Sequence, residues 1–164
     1  MVEVNERLYV SAEDFFTQIA ESIAYDIKES TGKNIRTSQL HKGYSYTKTL
    51  KNKVGRQGNV KVTITEFEYP KSYVAEFKSS TGVNMISYQI EVLDEDSIGV
   101  SYKESFEGDT KTHDANFKLV SFFYKRKAKK RAKNMLRSLE KYIKANGNQI
   151  GTEKRPHLQE EGEA

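Results

Sequence analysis

The chain of 164 residues has no cysteine, no tryptophan, two prolines and three histidines. Without cysteine it can form no disulfide, thiol nucleophile or thiolate metal site, which suits a reducing compartment. His41, His113 and His157 read as a turn, a loop and the tail, with no partner at the spacing of a metal centre. His113, close to Asp109 and Asp114, has the chemistry of an acid or base, but surface and capping roles account for it better. No run of apolar residues is long enough to cross a bilayer, and the start, MVEVNERLYV, is too polar for a signal peptide, so a cytoplasmic protein is expected. The glycines of KNKVGRQGN lack the strand, Lys and Ser or Thr context of a phosphate loop and read as a hairpin turn. Among the acids, Glu66 and Glu68 share one face of a strand, as alternate residues do, and read as exposed; Asp94, Glu95, Asp96, Glu104 and Glu107 form no evident catalytic pair. No cofactor is called for, and nothing in these patterns specifies an enzyme.

What the chain does have is an ordered change of period. Val4, Leu8 and Val10 alternate as a first strand, with Glu6 at a doubtful inward position. Ser11 and Asp14 have capping-box spacing, Phe16, Ile19, Ala20, Ile23 and Ile27 form a helical stripe, and Gly32 supplies the stop. A short second helix opened by Thr37 is expected within 35–42. Five strands follow, near 43–51, 59–69, 72–79, 83–93 and 97–106. Gly55, Gly58 and Asn59, then Pro70, then Thr81 and Gly82, then Asp94 to Asp96 mark the turns between them. The parity of Val60, Val62 and Ile64 is broken by Phe67 and Tyr69, which predicts a bulge near Thr65. Connections this short permit only antiparallel neighbours, hence a meander.

The strongest periodic signal is the last one. Phe117, Val120, Tyr124, Ala128, Ala132, Met135, Leu139 and Tyr142 recur every three or four residues, predicting one helix from about 114 to 145. Phe122 and Phe123, with Leu119, make its first turns apolar almost all round, as in a buried segment or a dimer interface. Residues 1–146 are therefore expected to be one domain, and 147–164 a disordered polar tail. Strands in sequence between two helices have few compact solutions; the expected one is an α+β fold in which a curved antiparallel sheet of six to seven strands grips a long C-terminal helix.

The stretches YDIKESTGKNI (25–35), GYSYTKTLKN (43–52) and FFYKRKAKKRAKNMLRSLEKYI (122–143) resemble a family of uncharacterised bacterial proteins grouped as a domain of unknown function, over roughly residues 4–145. In element order that family is similar to the helix-grip superfamily of START lipid-transfer domains and the birch-pollen allergen. The resemblance implies a cavity between sheet and last helix and a lipid, sterol, hormone or polyketide ligand; some members of the superfamily are cyclases or hydrolases, but no catalytic pattern carries over.

Two candidate sites follow. Ten tyrosines and eight phenylalanines supply a cavity lining, for which the inward candidates are Tyr46, Phe77, Tyr88, Tyr102, Phe117, Ser121 and Tyr124; as ordinary core residues they would carry the same pattern. The reading is a non-enzymatic binder of a small apolar or amphipathic ligand. The second site is a basic run without an intervening acid, in which Lys125, Arg126, Lys129, Lys130, Lys133 and Arg137 would meet an anionic partner, nucleic acid or a membrane surface; otherwise it is a solvated face. A homodimer through the apolar start of the helix is the remaining alternative.

Overall fold

A computed structural model describes residues 1–51, 57–108 and 115–150, with side chains at 1–50, 58–107 and 125–146. The expected turn at Gly55, the candidates His113 and His157, the side chains of Phe117, Ser121, Phe122, Phe123 and Tyr124, and the tail beyond 150 lie outside the described residues. The elements are β1 (Val2–Leu8), α1 (Ala12–Thr31), a 3-10 turn at Thr37–Gln39, β2 (Ser45–Lys51), β3 (Gln57–Glu68), β4 (Ser72–Ser79), β5 (Gly82–Val92), β6 (Ile98–Gly108) and α2 (Ala115–Ile150).

One antiparallel sheet runs in the order β1-β6-β5-β4-β3-β2, so the five later strands form a meander and β1 closes on its far edge. Register fixes which residues share its inner face. Val4 lies opposite Tyr102, Tyr102 opposite Tyr88, and Tyr88 opposite Tyr73. Between Ile64 and Glu66 the β3–β4 register shifts, the bulge that the broken parity predicted. The extra residue returns Phe67 to the inner face opposite Tyr73 and bends the strand.

At the start of α1 the hydroxyl half of the cap forms, with the amide of Asp14 donating to Ser11 Oγ at 3.1 Å. Gly32 ends the helix at φ 74°, a left-handed conformation that glycine adopts without a Cβ penalty. Its predicted stripe is buried, and Phe15, which the stripe omitted, is buried completely. The expected second helix reduces to the 3-10 turn, whose four-residue frame is held by Arg36 N donating to Gln39 Oε1 at 2.8 Å.

α2 is 36 residues, about 54 Å at 1.5 Å per residue. It passes through Gly147 and is described as far as Ile150, five residues beyond the expected end, since a single glycine costs a helix only about 1 kcal/mol and does not oblige it to stop. Among the described residues its buried hydrophobic side chains are Ala128, Ala132, Leu136 and Ile143, with Met135 and Leu139 packed alongside. Tyr142, expected on the stripe, is exposed. From Ala128 through Ala132 to Leu136 the buried face advances by about 40° at each four-residue step, which turns the stripe away from Tyr142 and onto Ile143.

Glu6 explains its own inward position. It faces α2 from β1, where Arg137 Nη2 meets Glu6 Oε2 at 2.6 Å and Lys133 Nζ lies 4.0 Å from Glu6 Oε1. Arg137 Nη1 also donates to the carbonyl of Arg7 at 3.0 Å and to Glu140 Oε1 at 3.4 Å, while Glu140 Oε2 accepts from the amide of Tyr9 at 2.7 Å. The buried carboxylate of Glu140 thus satisfies a backbone donor just past the end of β1 and ties that strand to the helix.

Candidate functional site

Of the residues expected to line a cavity, Tyr46, Phe77, Tyr88 and Tyr102 occupy one face of the sheet, spread over four strands. Phe77 lies opposite Val62, Val62 opposite Tyr46, and Tyr88 opposite both Tyr73 and Tyr102. Aromatic rings run across this face in sequence. Centroids are 6.4 Å apart for Phe67 and Tyr73, 6.2 Å for Tyr73 and Tyr88, and 5.0 Å for Tyr88 and Tyr102. These spacings fall in the 4.5–7 Å range that aromatic quadrupoles favour. Phe15 of α1 adds a ring 6.2 Å from Tyr88.

The row carries polar groups along its length. At one end Tyr46 donates to Asp26 Oδ2 of α1 at 2.5 Å, and Lys48 Nζ reaches the same oxygen at 3.0 Å. In the middle the Tyr88 hydroxyl donates to the Met135 sulfur at 3.7 Å, joining sheet to α2, and the Tyr73 hydroxyl bonds to no described residue. At the other end Tyr102 donates to Glu104 Oε2 at 3.1 Å. Asn84, on the same strand face as Tyr88, has a buried side-chain oxygen without a hydrogen-bond partner among the described residues.

Asp26, Lys48, Tyr73, Asn84 and Glu104 were not read as site residues from the sequence. Lys48 and Glu104 share the parity of Tyr46 and Tyr102, and that alternation was the available signal. Asp26 sits on α1 and comes to Tyr46 only through the tertiary fold. Glu66 and Glu68 point away from this face, as expected, and Ser72 Oγ donates to Glu66 Oε1 at 2.5 Å. His41 lies in an exposed turn, with Nδ1 2.7 Å from the Lys42 carbonyl and its ring edge-on to Tyr44. Among the described residues no group of three His, Cys, Asp or Glu side chains could hold a metal.

Burial is the largest influence raising the phenol pKa values of Tyr46, Tyr73, Tyr88 and Tyr102 above the usual 10.0; for Tyr46 the bond to Asp26 adds to it, and for Tyr88 and Tyr102 the charge of Glu104 does. The folded protein therefore holds these protons at a pH where the unfolded chain releases them. Their contribution to stability is complete below about pH 10 and is lost as pH climbs beyond it. In a base titration the tyrosinate absorbance of these four residues is expected to rise together with the loss of far-ultraviolet circular dichroism. Full ionisation with an intact fold would contradict the burial described here.

The sheet gripping α2, with an aromatic and hydroxyl-bearing inner face, defines the protein as an α+β domain of the helix-grip class. Three solved structures share the fold at 13% identity each: Ara h 8.0201 (TM-score 0.54, covering 88% of this chain and 97% of that one), the protein of unknown function SA2116 from Staphylococcus aureus (0.56, 90% and 96%) and a conserved protein from Geobacillus kaustophilus (0.56, 88% and 95%). The chain belongs to the family described as a domain of unknown function, DUF3284, whose model matches residues 2–125. No curated protein matches it. Among the described residues no helix is long and apolar enough to cross a membrane.

Proposed function

We propose that the protein binds a small amphipathic molecule between the inner face of the sheet and α2, as a carrier or sensor and not as a catalyst. The observation that carries this reading is Asn84, whose buried oxygen lacks a donor among the described residues, on a face that also carries the row of aromatic rings. A buried acceptor left unpaired costs about 1–3 kcal/mol, and a ligand hydroxyl or amide would satisfy it. The hydroxyl of Tyr73, unbonded among the described residues, supplies a second polar contact, and the rings of Phe67, Tyr73, Tyr88 and Tyr102 an apolar bed. Structural likeness to Ara h 8.0201 supports the fold on which this reading rests.

Expected results follow for Asn84→Leu, which removes the orphan oxygen at similar volume. The unliganded variant should gain about 1–3 kcal/mol in denaturant unfolding. An environment-sensitive apolar dye should enter the wild-type protein and be displaced by a long-chain fatty alcohol, and the variant should lose about tenfold in affinity for the alcohol, the worth of about 1.4 kcal/mol. Tyr102→Trp should fill the face and exclude the dye. A wild-type protein that takes up no dye, or an Asn84→Leu variant that binds the alcohol unchanged, would remove the basis for this reading.

A further inference from the structure

α2 holds eleven Lys and Arg and a single acid, Glu140, so the helix carries +10 in a chain whose net charge is +4, and the rest of the chain is acidic in sum. Glu140 is buried, accepts from the amide of Tyr9, and within the helix pairs with Arg137, so it offsets at most one of these charges. Outside the buried line of Ala128, Ala132, Leu136 and Ile143, along the side of α2 that borders β1, runs a second line: Arg126, Lys130, Lys133, Arg137, Lys141 and Lys144, at steps of four, three, four, four and three. All six are exposed. Lys133 and Arg137 are paired with Glu6, and Lys144 lies over the ring of Tyr9. Arg126, Lys130 and Lys141 make no ion pair with a described residue. The line is about 27 Å long at 1.5 Å per residue, the axial span of about eight base pairs at 3.4 Å each.

We infer that this outer line of α2 docks on the phosphate backbone of double-stranded nucleic acid, without reading its sequence. A regular row of cations on a rigid helix matches a regular row of phosphates. Single strands are a poorer match, because their binders stack bases on exposed aromatics and the outer line holds none. An anionic membrane is also a poorer match. Helices that lie in a bilayer surface bury an apolar face in it, and the apolar face of α2 is already committed to the sheet and α1, with Lys127, Asn134 and Ser138 flanking the outer line.

The test is fluorescence anisotropy with a labelled mixed-sequence DNA duplex of about 20 base pairs, more than twice the span of the line. Four to six phosphate contacts give a slope of log affinity on log salt of about −4 to −5, so binding should weaken roughly 250- to 1,000-fold between 50 and 200 mM salt. The triple variant Arg126→Gln, Lys130→Gln, Lys141→Gln should reduce the magnitude of that slope by about 3, and the corresponding triple Glu variant should lose binding at 50 mM salt. Both should unfold at the wild-type temperature and take up apolar dye as the wild type does, which separates this site from the inner face. Three outcomes would overturn the inference: no duplex binding at 50 mM salt, a Gln variant with the wild-type slope, or stronger retention by anionic phospholipid vesicles or single-stranded DNA than by the duplex.

Discussion

Replacing Phe15 with alanine is expected to lower stability by about 3–5 kcal/mol, a large part of the 5–15 kcal/mol that holds a typical domain folded. The side chain is completely buried, and its ring contacts Tyr88 in the middle of the inner face. Its truncation removes apolar area from the core and also leaves a space that the surrounding sheet and helix cannot fully collapse into, because the tyrosines there are held by one another and by Met135. Phe16, one residue on, turns to a different set of rings, Phe67 at 5.1 Å and Tyr69 at 5.4 Å. The two adjacent residues therefore anchor α1 to separate parts of the sheet. Tyr25→Ala on the exposed side of the same helix should stay within about 0.5 kcal/mol. Equilibrium denaturation of the two variants checks both values, and a Phe15→Ala loss below 1 kcal/mol would show that α1 is not seated on the inner face.

Phe15 also marks where sequence reading of this protein runs out. Period and punctuation were enough for the element order: the alternation of Ile86, Tyr88 and Ile90 and the turn residues between strands set a meander, and the parity break at Phe67 located the bulge. Such signals are local, repeated and redundant. The pairing of β1 with β6 brings together residues 90 (Leu8 and Ile98) to 102 (Val2 and Glu104) positions apart and leaves no local trace. The same holds for the polar end of the inner face. Tyr46 and Lys48 alternate on β2 as expected, but their partner Asp26 is fixed by where α1 crosses the sheet, and a charged residue on a helix of mixed composition carries no mark of that crossing. Glu6 looked out of place in an alternating strand because its partners, Lys133 and Arg137, lie at the far end of the chain. A charge on an inward position is costly when unpaired, so its presence there pointed to a partner without naming one.

Leu136→Ala is the second change expected to have a large effect, about 2–5 kcal/mol, and it decides how α2 is oriented. Leu136 is completely buried, at four-residue steps from Ala132 and Ala128, both small enough to bring the helix backbone close to the sheet and α1. Tyr142 competes for the same role in the periodic pattern, and on a helix that kept the alternating three-four stripe it would be the buried residue. The structure instead exposes Tyr142 and buries its neighbour Ile143. This rotation carries Arg137 and Lys133 toward Glu6 and places Arg126, Lys130 and Lys141 on the side facing away from the core, so the orientation of one helix sets the apolar seam, the clamp on β1 and the outer basic line together. Tyr142→Ala should accordingly change stability by no more than about 0.5 kcal/mol. If denaturant unfolding ranked the two variants in the opposite order, α2 would be turned about its axis relative to the arrangement described, and both the ion pairs with Glu6 and the exposed basic line would have to be reassigned.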